Sequence, residues 1–60
     1  MKKLYLITIK GKKEDRLIKE IGAGRSEYIE DMLNYAILNF KKENGEDIEI
    51  IDIRIKELAE

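Results

Sequence analysis

The sequence predicts a mainly α-helical domain with one N-terminal β-strand, and three observations lead to this fold class. Residues 3–10 form a short apolar run that ends at Gly11, which is typical of a strand. Residues 12–21 carry apolar side chains at the spacing of a short helix, and residues 25–43 repeat that spacing over about five turns. One strand followed by two helices is therefore the expected order of elements.

The N-terminal strand is predicted to have one inward and one outward face, because side chains alternate along a strand. The two sets are Tyr5, Ile7 and Ile9 inward, and Leu6, Thr8 and Lys10 outward. A lone strand leaves its backbone groups unpaired, and the rest of the sequence offers no obvious hairpin partner. We therefore expect this strand to pair with the same strand of a second copy.

The two predicted helices are bounded by glycines. In the short one, Leu17, Ile18 and Ile21 form an apolar stripe, and Gly22 ends it. The long helix is predicted to end at Asn44-Gly45. Its apolar face consists of Ile29, Met32, Leu33, Ala36, Ile37 and Phe40.

Residues 46–60 are ambiguous between a helix and a strand. Their dense isoleucines favour a strand with a bulge at Ile50-Ile51. However, Ile48, Ile51 and Ile55 also share a helical face. A helix satisfies its own backbone hydrogen bonds, so a helical C-terminal extension is favoured over a strand.

Length and composition indicate a small oligomeric protein without catalytic chemistry. A chain of 60 residues buries only about 60% of its unfolded surface, yet 43% of its residues are hydrophobic, so we expect an obligate homodimer or larger assembly. Without His or Cys there is no ordinary triad, thiolate or zinc site, and we expect no enzyme activity, cofactor or metal. The absence of a membrane-spanning run or a signal peptide leads us to expect a cytoplasmic protein.

Charge is unevenly distributed along the chain. Residues 1–26 sum to +5 and residues 27–60 to −6. A basic end opposite an acidic end indicates that one surface meets a polyanion, although a merely solvated pattern of charges is an alternative.

The segment Gly22-Ala23-Gly24-Arg25-Ser26-Glu27-Tyr28-Ile29 resembles the signature between the two helices of ribbon–helix–helix (Arc/MetJ/CopG-type) DNA-binding proteins. That signature is usually written G-x-S-R/K-S-E-x-I/V, and Gly24 stands where the family has Ser. The resemblance covers roughly residues 2–43. It implies an intertwined homodimer in which two N-terminal strands form an antiparallel ribbon that enters the major groove.

The resemblance also assigns roles to individual residues. Leu6, Thr8 and Lys10 would contact bases. Phosphates would be contacted by the backbone at the start of the long helix and by side chains around the ribbon, namely Lys2, Lys3, Lys12, Lys13, Gly24, Arg25 and Ser26. The dimer core would consist of Tyr5, Ile7, Ile9, Leu17, Ile18, Ile21, Ile29, Met32, Leu33, Ala36, Ile37 and Phe40.

These expectations divide the chain into a DNA-binding and dimerisation domain, residues 1–45, and an extension, residues 46–60. The implied function is that of a sequence-specific DNA-binding transcriptional regulator, a repressor, whose dimers can assemble further on DNA. The alternative is the antitoxin of a toxin–antitoxin pair, whose acidic, Ile-rich extension binds a protein toxin.

Overall fold

The computed structural model describes residues 2–58 as a three-stranded antiparallel sheet with one helix on one side. The elements are β1 (Lys3–Lys13), β2 (Arg16–Ser26), α1 (Ile29–Asn44) and β3 (Glu49–Leu58), and the strand order is β2-β1-β3. Strands make up 56% of the structure and the helix 28%. The expected mainly α, ribbon–helix–helix fold is therefore wrong.

β1 is the central strand, and both of its edges are occupied within the chain. It pairs antiparallel with β2 from Lys3↔Ser26 to Lys13↔Arg16 and with β3 from Leu4↔Leu58 to Lys12↔Glu49. Its backbone donors and acceptors are thus satisfied by the chain's own strands. An intermolecular ribbon of two β1 strands is excluded, because no edge of β1 remains for a second copy.

Residues 12–21, predicted as a short helix, instead form the end of β1, a tight turn and the first half of β2. The turn consists of Glu14 and Asp15, and Glu14 adopts a positive φ of 57°. A helix of ten residues is marginal on its own. Pairing along β1 satisfies more backbone groups than such a helix would, and the β1–β2 hairpin forms instead.

The glycine-containing segment that resembles the ribbon–helix–helix signature lies inside β2. Gly24, Arg25 and Ser26 pair with β1 residues and do not begin a helix. The turn to α1 comes later: the Ser26 hydroxyl accepts a hydrogen bond from the Tyr28 backbone N–H (3.3 Å) and donates one to the Tyr28 carbonyl (3.0 Å). The helix start at which backbone N–H groups were expected to bind phosphate therefore does not lie at Gly24, Arg25 and Ser26.

The predicted long helix is present, and it begins four residues later than expected. Glu30 and Asp31 lie in its first turn, and Lys41 and Lys42 lie in its last, which complements the helix dipole. Its C-terminus is closed by Gly45, whose N–H donates to the Lys41 carbonyl at 2.8 Å.

Residues 49–58 form an edge strand. The expected helix in this region is therefore wrong, and the structure has the alternative, a strand with a bulge. The register shifts between Lys10, which faces Asp52, and Gly11, which faces Ile50, and Ile51 is left over. β3 belongs to the same sheet as β1 and β2, and the division into residues 1–45 and an extension, residues 46–60, stays a prediction.

The core lies between α1 and the sheet and is small. Its buried side chains are Tyr5, Ile7, Ile9, Phe40 and Ile48. Phe40 packs directly over Gly11, where a Cβ atom would lie 2.7 Å from Phe40 Cε2. Of the expected dimer core, Ile18, Met32 and Ala36 pack against these buried residues, and Leu33 and Ile37 are half-buried.

Three residues of the expected dimer core lie on the surface of the chain. Leu17 is 78% exposed, Ile21 62% and Ile29 42%. Leu17 and Ile21 sit in β2 on the side of the sheet away from α1. A helical period predicts Leu17 and Ile21 inside, but this segment is a strand, and its alternation turns them outward.

Candidate nucleic-acid interface

The side of the sheet that faces away from α1 forms a continuous surface, which we call the open face. β1 contributes its even-numbered residues to this face, because its odd-numbered residues point into the core. The register then places the odd-numbered residues of β2 and the matching residues of β3 beside them. The open face consists of Leu4, Leu6, Thr8, Lys10, Lys12, Leu17, Lys19, Ile21, Ala23, Arg25, Glu49, Asp52, Arg54, Lys56 and Leu58.

Cations dominate the charge of the open face, and each strand contributes two of them. They are Lys10 and Lys12 from β1, Lys19 and Arg25 from β2, and Arg54 and Lys56 from β3. Among residues 2–58, two carboxylates, Glu49 and Asp52, share the face, so these residues give it a net charge of +4. The rest of the sequence carries −5. Folding thus gathers cations that are scattered along the sequence onto one side of the molecule.

Arg54 is engaged in an ion pair on the open face. The Arg54 Nε donates to Asp52 Oδ2 at 3.1 Å, and the arginine side chain is 80% exposed. An exposed pair of this kind contributes at most about 1 kcal/mol. A phosphate that approached Arg54 would therefore compete for its guanidinium at little cost.

The residues expected to contact bases lie along the middle of the open face. Thr8 sits between Ile21 and Arg54, and Lys10 sits between Lys19 and Asp52. Leu6 is half-buried between Ala23 and Lys56, next to the register pair Leu4 and Leu58. The side chains point outward as expected, but they belong to the central strand of a sheet formed within one chain and not to a ribbon between two copies.

The residues expected to contact phosphates are divided between the two sides of the sheet. Lys12 and Arg25 lie on the open face, whereas Gly24 and Ser26 lie on the helix side. Lys2 is exposed just before β1.

The other two lysines of that set are engaged elsewhere. Lys3 forms an ion pair with Glu57 at 3.2 Å, and the hydrogen bond from this carboxylate raises the pKa of the Lys3 ammonium. Lys13 donates to the Asn44 carbonyl at 2.8 Å and pairs with Asp47 at 3.3 Å. Lys13 therefore closes the C-terminus of α1 and is removed from the open face.

Sequence reasoning missed three cations of the open face: Lys19, Arg54 and Lys56. A signal for the last two was present, because they alternate with Ile53 and Ile55, as expected for a strand with one buried face. Lys19 lies in a segment whose spacing predicts a helix, so no alternation of a strand places its side chain on this face.

A groove lies on the opposite side of the sheet, between α1 and β2. It has a volume of about 910 Å³, and its lining includes Gly22, Tyr35, Glu20 and Glu43. The pKa of the Glu20 carboxyl is raised by a hydrogen bond to Glu43, with smaller contributions from desolvation and from the neighbouring charge. This hydrogen bond requires a proton between the two carboxyl groups, so it is favoured as the pH falls.

The described part of the chain, residues 2–58, contains no cluster of three or more potential metal ligands. Within the same residues, no helix has the length and apolar character needed to cross a membrane. Comparison of the sequence with protein-family models, curated proteins and solved structures finds no match. The charge and geometry of the open face are accordingly the basis for a functional proposal.

Proposed function

We propose that this protein is a DNA-binding regulator that contacts duplex DNA through the open face of its sheet. The observation that supports the proposal best is the set of six cations, two per strand, on a face opposite the acidic remainder of the molecule. The electrostatic field of such a charge distribution orients the protein as it approaches a polyanion. Phosphate neutralisation would supply most of the affinity.

The width of the sheet suits the major groove of B-form DNA. Neighbouring strands are about 4.8 Å apart, so the axes of β2 and β3 are separated by roughly 10 Å, against a groove about 12 Å wide. β1 would then lie over the base edges, and the cations of the two outer strands would meet the phosphates on either wall. A double-stranded RNA is a poorer partner, because its major groove is too narrow and deep to be read.

In this arrangement Thr8 and Lys10 carry the sequence preference. A lysine ammonium donates to guanine O6 and N7, and a threonine offers a hydroxyl and a methyl group. Leu6 supplies an apolar contact suited to a thymine methyl. The proposal retains the repressor role and the cytoplasmic location expected from the sequence, but it does not require the antitoxin's separate tail.

The test compares lysines on the two sides of the same strand. Selection from a random duplex pool identifies a preferred site, and binding to it is then measured as a function of salt. We expect log K to fall with log salt, with a slope no steeper than about −5 if all six cations engage.

Lys10→Ala should weaken binding by about 1–3 kcal/mol and relax base preference, whereas Lys19→Ala, on the outer strand β2, should weaken binding to all sequences and lower the slope by about one. Lys3→Ala, on the other side of β1 and paired with Glu57, is the matched control and should change neither quantity. Binding that is insensitive to salt, or equal effects of all three substitutions, would contradict the proposal.

A further inference from the structure

Large side chains are exposed on the outer side of α1, opposite the core, and at Tyr28, the extended residue that precedes its first turn. Tyr35 is 69% exposed, Leu38 67% and Tyr28 65%. Together with the exposed Asp31 and Lys42 they recur at alternating intervals of three and four residues. We call Tyr28, Asp31, Tyr35, Leu38 and Lys42 the outer seam.

The outer seam has the spacing of the a and d positions of a coiled coil. Three- and four-residue steps keep side chains on one line of a helix. At about 100° of rotation per residue, this line lies about half a turn from Phe40 and Leu33, which face the sheet. α1 therefore presents one face to the core of its own chain and a second, independent face to solvent.

The charges of the outer seam make it complementary to itself in an antiparallel arrangement. When two copies of α1 pack antiparallel with Tyr35 of each against Leu38 of the other, Asp31 of each lies opposite Lys42 of the other. Both contacts occur twice, as a two-fold interface requires. The positions on either side of this pairing include the uncharged Asn34 and Asn39, so no like charges are brought together there.

We infer that the protein forms a homodimer in which two α1 helices pack antiparallel through their outer seams. This dimer differs from the ribbon dimer expected from the sequence, because the helices and not the N-terminal strands lie at the two-fold axis. The inference does not depend on DNA binding, because the open face lies on the other side of the sheet.

The decisive experiment is a charge exchange followed by sedimentation equilibrium over a range of protein concentrations. Asp31→Lys and Lys42→Glu should each weaken dimerisation about tenfold, because each places like charges in contact at two symmetric positions. The double variant restores opposite charges and should return to within about threefold of the wild-type dimerisation constant. Glu30→Lys makes the same change of charge beside the seam and should have no effect.

A second variant tests the apolar part of the seam. Leu38→Glu should weaken dimerisation at least tenfold, and its circular dichroism should match the wild type because the side chain is exposed. A wild-type protein that is monomeric at millimolar concentration would overturn the inference. So would a dimer that withstands all of these substitutions, which would indicate pairing through the edge strands β2 or β3.

Discussion

At the scale of single residues, two glycines that look alike in the sequence have opposite roles. Both Gly11 and Gly22 lie in strands and point toward α1. A Cβ at Gly11 would meet Phe40 at 2.7 Å and Ile48 at 2.9 Å, whereas a Cβ at Gly22 would meet nothing within 4 Å. Close packing therefore requires a glycine at position 11, whereas Gly22 borders the groove between α1 and β2.

Alanine substitution at these two positions should therefore change stability in opposite directions. Gly11→Ala should destabilise the protein by about 1–3 kcal/mol, because Phe40 and Ile48 must move. Gly22→Ala should stabilise it by about 0.4–1 kcal/mol, because the unfolded chain loses freedom and the strand gains a side chain. Urea denaturation at one protein concentration measures both, and equal losses of stability would contradict the packing at Gly11.

The residue scale also shows why part of the candidate interface could be predicted. The alternation Tyr5, Ile7, Ile9 is local and strong, so the outward direction of Thr8 and Lys10 followed from the sequence. The contacts of Lys3 and Lys13 could not be predicted, because their partners, Glu57 and Asn44, are more than thirty residues away in the sequence. Only the folded chain brings those groups together.

At the scale of elements, the β1–β2 hairpin was missed because its turn lacks the usual signals. A two-residue hairpin turn favours Asn-Gly or Asp-Gly, but this one is Glu14-Asp15. Both residues also suit the first turn of a helix. Gly22 and Gly24, unusual inside a strand, were read as the end of one helix and the start of the next.

β3 illustrates how an available edge decides between helix and strand. Its isoleucines fit either period, and a helix was favoured because no edge was known to be free. Once β1 is central, its second edge pairs with residues 49–58, and Ile53 and Ile55 pack against the core. The strand is favoured because its pairing satisfies backbone hydrogen-bonding groups of both β1 and β3.

We therefore expect a chain that ends at Gly45 to lose cooperative folding. Such a chain lacks the buried Ile48 as well as β3, and it leaves one edge of β1 unpaired. Far-ultraviolet circular dichroism during thermal unfolding measures the effect. A truncated chain with a sharp transition near that of the full chain would contradict the structure and would support the interpretation of residues 46–60 as a separate tail.

At the scale of the whole molecule, the two proposals together define a bivalent assembly. If α1 lies at the two-fold axis, the two sheets lie outside it and their open faces point away from each other. Each face carries a net charge of +4. The dimer would therefore hold two duplexes on opposite sides instead of two half-sites on one duplex.

This arrangement predicts that the wild-type dimer bridges DNA and that the Leu38→Glu monomer does not. Immobilised duplex, incubated with protein, should capture a second, labelled duplex only when the protein is dimeric. The Leu38→Glu variant should still bind the immobilised duplex through its open face, and Glu30→Lys should bridge normally. A wild-type dimer that saturates with one duplex would contradict the assembly without contradicting either DNA binding or dimerisation.

Local patterns are enough to predict three features: the strand at residues 3–10 with its two faces, the long amphipathic helix, and the β-branched character of residues 48–55. The central position of β1, its pairing with residues 16–26 and 49–58, and the presence of six dispersed cations on one face emerge only in the folded chain. The physical reason is that a strand is stable only beside another strand. Its identity and register depend on hydrogen bonds between residues far apart in the chain, which no short window of sequence contains.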